Sequence, residues 1–257
     1  DEIVMERIEQ FRPYRNEFIE ILFAVSQYLK NMDMKQIIHE FFENLLPYLY
    51  NHHVDPSQKK FDNFRFTIHE LFLYTIAILI KFERFETAAY LVSQPYYLTG
   101  MQTFIGNNLV HFSFFNIDVR TLEERNERLK LHKTSLRGDM LIDNSSDTPL
   151  EPSYLVHADI LLFLRDCFDT IKLNKSPYWI CFTDVWAKYN RLGIFKVFER
   201  SISQEYFNRF KIFFDIKDAD ELYRLIKEIK NRSFRLPLVM DPSIEKAISL
   251  KKIATIP

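Results

Sequence analysis

Apolar residues recur along most of this chain three and four positions apart, the period of helices with one face turned to a core. Residues 2 to 11 place Ile3, Val4, Ile8 and Phe11 on one face before Pro13 interrupts. A second run, Arg15 to Leu29, carries Phe18, Ile19, Leu22, Phe23 and Val25. Asp33 with Gln36 reads as a capping box for a third helix through Ile37, Ile38, Phe41, Phe42, Leu45 and Leu46, which Pro47 should kink or end. Phe66 to Phe82 is apolar on nearly every face and predicts a central helix, followed at once by the short amphipathic run ERFETAAYLV. In LVHFSFFNI, residues 109–117, apolar and polar positions alternate, so helix and strand both fit; the absence of an evident partner strand favours helix.

The second half is punctuated by capping signals. Thr121 and Glu124 form a capping box for the charged run VRTLEERNERLKLHK. Ser153 heads a helix through Leu155, Ala158, Leu162 and Phe163 to Phe168. Ser176 and Pro177 read as an N-cap and first helical residue opening YWICFTDVWAKY, with Gly193 as its terminator. SQEYFNRFKIFF sets Phe207, Phe210 and Phe214 on a stripe. Asp218 with Glu221 opens a helix carrying Leu222, Leu225, Ile226 and Ile229, and Asp241 before Pro242 starts a last one. The pattern predicts an all-α chain, a multi-helix array of packed helical hairpins. Two features add a solenoid-like expectation for the N-terminal half: the short turn from the long apolar helix into the helix bearing Ala88 and Ala89, and IHEFF at 38–42 echoed by IHELF at 68–72. Lys133 to Pro152, with Gly138, an Asn-Ser-Ser-Asp cluster, Pro149 and Pro152, is the best boundary. It divides the chain into 1–145 and 146–257, either as two regions or as two parts of one core.

Composition removes several functions. The 257 residues hold 34 Lys plus Arg against 35 Asp plus Glu, a net charge of -1, so no global basic field draws the chain to nucleic acid. Only 4 glycines occur and none is near another, which excludes the GxGxxG, Walker A and GxSxG loops. The excess of 25 Phe and 13 Tyr falls at helix-core spacing, which argues for packing above a base-stacking surface. Cys167 and Cys181 lie in apolar runs and read as free thiols of a reducing cytoplasm. His69, Glu70 and Lys81 in the most apolar stretch argue against a membrane span. A start at Asp1 without Met and an abrupt end at KKIATIP suggest a piece of a longer protein.

Candidate chemistry is sparse. His52, His53 and Asp55 could ligate a metal but have no fourth local ligand. His39 with Glu43 lacks the Glu-x-x-His spacing of a di-metal bundle, since Gln36 stands three before His39 and Phe66 three before His69. His157 and Asp159 are two apart on a helix, about 200° around its axis, and cannot face one substrate. Asp139 and Asp143 could hold Mg²⁺ but no Glu-x-Lys follows. No cofactor or metal is therefore expected.

The charged run offers the sharpest motif. In RNERLKLH, Arg125 and His132 stand seven apart, so an unbroken helix would superpose them two turns apart, about 10.5 Å along the axis. The motif resembles the R-x4-6-H signature of HEPN ribonucleases, with polar Asn126 after the arginine. The resemblance covers eight residues and implies a metal-independent ribonuclease, usually dimeric, with His132 moving the proton and Arg125 clamping phosphate. Arg120, Arg125, Arg128, Lys130, Lys133 and Arg137 also form a locally basic set for a partner or nucleic acid, offset by Glu123, Glu124 and Glu127. A second basic group lies at Lys227, Lys230, Arg232, Arg235, Lys246, Lys251 and Lys252. The reading preferred over the ribonuclease is a non-enzymatic, cytoplasmic interaction or regulatory module of a larger protein, binding protein rather than membrane.

Overall fold

The computed structural model describes residues 1–29, 32–49, 59–98, 108–190, 195–232, 234, 236–237 and 248–256. His52, His53, Asp55, Gly193, Arg235, Lys246 and the Asp241–Pro242 helix start lie outside these residues. Eleven α-helices and one pair of two-residue strands make up the described chain, which is all-α.

The first two expected helices are one. α1 runs Glu2–Tyr28 straight through Pro13. Proline removes the N–H that the Glu9 carbonyl needs, but Pro13 is exposed, so water can take that carbonyl. α2 is Lys35–Leu49, with Pro47 in its last turn. The capping box at its start is half formed: Asp33 accepts from the Lys35 N–H at 3.2 Å, while Gln36 bonds forward to Glu40. α3, Asp62–Lys81, is buried from Arg65 to Ile80 and passes through the middle of the molecule. It is the one helix among the described residues long and apolar enough to cross a membrane, and 94% of that window lies inside the protein. A turn with Glu83 at φ 56° joins it to α4, Phe85–Ser93, completing a helical hairpin.

Residues 109–117 are not a helix. Leu109–Val110 (β2) pair antiparallel with Tyr96–Tyr97 (β1), Tyr96 opposite Val110, and Phe112–Asn116 then make a 3-10 turn capped by His111. The partner strand is only two residues long, too short to leave an alternating pattern. α5 is Arg120–Arg128 and α6 Leu136–Asp143, followed by a 3-10 turn at Asn144–Asp147. The stretch read as a boundary thus holds a capped helix, with Leu141, Ile142 and Leu150 buried. α7, Pro152–Lys172, begins one residue before the expected Ser153 cap, with Pro152 in the first turn.

Ser176–Pro177 opens no helix. Residues 175–181 are non-helical, and α8 covers only Asp184–Tyr189. α9 (Lys196–Arg200) and α10 (Gln204–Phe210) follow, then a 3-10 turn at Lys211–Phe214 and α11 (Ala219–Asn231). Asp218 caps α11 as expected, accepting from the Glu221 N–H at 2.8 Å.

α3 packs against α1, α2 and α7, and α7 against α8 and α11. Buried apolar side chains form one cluster from Val4 to Ile253, crossing residue 145 without a break. The phenylalanines build it: Phe42, Phe72 and Phe115 meet at 4.6–5.4 Å, and Phe198, Phe210 and Phe214 at 5.4–6.2 Å. The two His-Glu echoes occupy different settings. His39 stacks on Tyr96 and Glu40 is exposed, whereas His69 and Glu70 are buried beside Arg137 and Arg15.

Candidate functional site

Within the charged run, α5 stops short. Its last turn closes at Leu129, and Lys130 and His132 take positive φ of 50° and 53°. Asn126 fixes the reversal, its side chain donating to the Lys133 carbonyl at 2.7 Å and accepting from the Lys133 N–H at 3.1 Å. Arg125 and His132 therefore share no helical face, which corrects the superposition on which the ribonuclease resemblance rested. Arg125 contacts Asp1 and Glu2 at 3.3 and 3.4 Å, and His132 is exposed beyond the helix end. The basic set is mostly paired: Arg120 with Asp118, Arg128 with Asp1 and Glu2, and Lys133 with Asp139. Arg137 is buried with no ion pair of its own, which leaves Lys130 as the one exposed member of the six without one among the described residues.

What the segment does build is a cleft of about 880 Å³, the size of a small-ligand pocket. Its walls are one face of α5, the first turn of α6, residues 176–185, and Arg232, Phe234, Leu236 and Pro237. Asp62, buried at the start of α3, caps α5 through the Thr121 N–H at 2.8 Å; the sequence had assigned that role to Thr121 itself. Ser135 caps α6 by accepting from Gly138 N–H at 2.9 Å. Gly138 is needed for packing, because a Cβ there would lie 1.9 Å from the Phe182 carbonyl oxygen.

The opposite wall is extended because side chains, and not a helix, take its backbone donors. Asp166 of α7 accepts from Tyr178 and Trp179 N–H at 2.5 and 2.7 Å. Asp159, two turns earlier on the same side of α7, accepts from the Trp179 indole at 2.8 Å and from Phe182 and Thr183 N–H at 2.9 and 3.0 Å. Asn116 pairs with both backbone groups of Ile180. Burial pushes Asp159 up to about 6, against the pull of its donors. These residues were missed as organisers, since their partners lie between 12 and 64 positions away in sequence; only the run of aromatic residues after Pro177 hinted at a buried segment.

Arg137 lines this cleft and is 4% exposed. Its Nη1 donates to the Ile117 carbonyl at 2.8 Å and its guanidinium lies over Phe182, 4.3 Å from the ring centroid. Its Nε donates to His69 Nδ1 at 3.1 Å, while Asn116 Nδ2 stands 3.2 Å from His69 Nε2. Burial and Arg137 hold His69 well below its ordinary value, hence neutral. A neutral imidazole has one lone pair, so only one of these two donors is accepted. Among the described residues Nη2 has no hydrogen-bond partner and no carboxylate comes within ion-pair distance. Burial brings Arg137 down to about 9, partly countered by Asp159 and Asp118.

The remaining candidates are structural. His157 is buried beside Phe195 and is brought down to about 4 by burial and Lys196. Ser113 Oγ, His111 and Asp169 stand in a row at 2.9 and 3.2 Å, but Ser113 is 8% exposed and the contact is the cap of a 3-10 turn. Cys167 and Cys181 are unpaired thiols raised by burial. No group of three or more His, Cys, Asp or Glu among the described residues could hold a metal.

A second feature lies on the outer face of α1. Ile3, Tyr14, Ile21 and Tyr28 are 58–73% exposed. Spacings of eleven, seven and seven put them within about 40° of one another around the helix. They line one face over about 37 Å, interrupted by the exposed Gln10 between Ile3 and Tyr14. The sequence carried this signal as a second periodicity at Tyr14, Ile21 and Tyr28, whereas Ile3, expected on the core face with Val4 and Ile8, instead turns outward to join them. Compared with known proteins, the chain matches no family model, no curated protein and no solved structure.

Proposed function

We propose that this chain is a non-enzymatic interaction module that takes up a basic amphipathic helix of a partner protein along α1. The observation that supports it is the seam of Ile3, Tyr14, Ile21 and Tyr28, large apolar side chains left in water at the spacing of a helix-helix contact. Scattered exposed apolar residues are ordinary; four in register over a whole helix are not. The polar positions flanking the seam set the partner's charge. Glu6, Glu17 and Glu20 are exposed there against a single Arg7. Two copies of α1 laid together would bring like charges into contact, so a basic helix fits better than a second copy of this chain. The hairpin stacking expected for the first half belongs to the same proposal: α1 lies on α3 as the outer helix of the stack, with its far face unpartnered among the described residues.

The test is titration with a labelled amphipathic peptide of about 25 residues, leucine at seam positions and lysine beside them. Binding is expected at about 1 to 100 μM, weakening as salt rises. Ile21→Glu and Tyr14→Glu should each abolish it while leaving the melting temperature in place, because both side chains are already exposed. Absence of binding overturns the proposal. So does a concentration-dependent dimer that Ile21→Glu dissolves.

A further inference from the structure

We propose that the cleft between α5, α6 and residues 176–185 binds a small zwitterionic ligand with an apolar body, an apolar amino acid or a short peptide. Three observations specify its three parts. The carboxylate end is specified by the start of α6 and by Arg137. The first turn of α6, Leu136 and Arg137, faces the cleft, and the partial positive charge of a helix start favours an anion. Independently, Arg137 is 4% exposed yet has, among the described residues, no carboxylate within ion-pair distance and an Nη2 with no partner. A cation in that position gains most from an anion it can pair with.

The apolar body is specified by Leu122, Phe182 and Phe234 on three of the cleft's walls. The cationic end is specified by Asp118, Glu123 and Glu127, which line the same cleft and crowd one another. Burial and those two neighbours raise Glu123, so a positive group there relieves a repulsion already present. The same carboxylates select against phosphate and polyanions, whose extra charge they would oppose. A volume of about 880 Å³ has room for a peptide of two or three residues.

The experiment uses the dipeptide Leu-Leu, its C-terminal amide, its N-acetyl form and inorganic phosphate, read by calorimetry and tryptophan emission. Leu-Leu is expected to bind at about 1 mM or tighter, with the amide and the acetylated form each about tenfold weaker. Arg137→Lys should erase the preference for the free carboxylate. As Arg137 is buried and that variant could unfold, a second variant at the exposed rim carries the test equally. Glu123→Gln with Glu127→Gln should weaken Leu-Leu about tenfold and leave the N-acetyl form unchanged. The proposal is overturned if no peptide binds, if the amide binds as well as the acid, if phosphate competes, or if the rim variant weakens both peptides alike.

Discussion

His157 and Asp159 stand two residues apart on α7, and burial pulls their titrations in opposite directions. His157 is lowered from 6.5 to about 4, so the folded protein binds fewer protons than the unfolded chain across that range. Stability from this group is therefore lost as pH falls from 6.5 to 4, by about 3 kcal/mol at most. Asp159 is raised from 3.8 to about 6, so the folded protein there binds more protons, and stability is lost as pH rises through that window. Between pH 4 and 6 the two slopes oppose each other and the wild type is flattened. His157→Phe should preserve the ring contact with Phe195 and remove one slope. Urea midpoints are expected to show the variant gaining on the wild type by about 3 kcal/mol between pH 6.5 and 4. A constant difference would show that His157 is not titrating across this range. Both residues were legible as helical, and the prediction that they face no common substrate rested on spacing alone. Their actual surroundings were not legible, because the donors to Asp159 come from residues 179–183, beyond a turn that no local pattern marks.

At the scale of elements, helices that bury one face were readable and irregular segments were not. α3, α4 and α11 fall where their periodicity put them, with Asp218 as cap. Residues 176–183 show why the rest was hidden. Ser176 and Pro177 are good local signals for a helix start, but Asp166 offers Tyr178 and Trp179 N–H a charged acceptor that a helix would leave unused. The tertiary acceptor wins over the local cap. The α5 terminus fails for the same reason in reverse, since Asn126 closes the turn at Lys133 and cuts the run that would have aligned Arg125 with His132. Asp166→Ala should therefore free one wall of the cleft. Hydrogen exchange at Tyr178 and Trp179 amides is expected to quicken strongly while α7 stays protected, at a cost of about 2 kcal/mol for two donors left unmet. Unchanged exchange at those amides would mean that the wall is held by packing and not by the carboxylate.

For the whole molecule, the question is whether residues on either side of 145 unfold together. Composition and loop signals favoured a division there, but the apolar cluster runs from Val4 to Ile253, and α3 of the first half packs directly on α7 of the second. Arg15 of α1 adds a polar tie, donating to the Asn144 carbonyl at 3.2 Å and facing Glu70 at 3.5 Å. Separating the halves would strip α3 and α7, both buried along most of their length, of their shared surface. Two independent units would need that surface covered from within each half, and α3 already has its other sides against α1 and α2. Thermal unfolding should thus be a single transition followed alike by calorimetry and by tryptophan emission, whose two reporters, Trp179 and Trp186, lie only in the second half. Ile76→Ala, far from either tryptophan in sequence, should cost about 3 kcal/mol and lower the midpoint by roughly 6 to 12 °C in both signals together. If the substitution instead shifted a calorimetric transition that the tryptophans do not follow, the two halves would be separate cooperative units and the surface between α3 and α7 an interface, not a core.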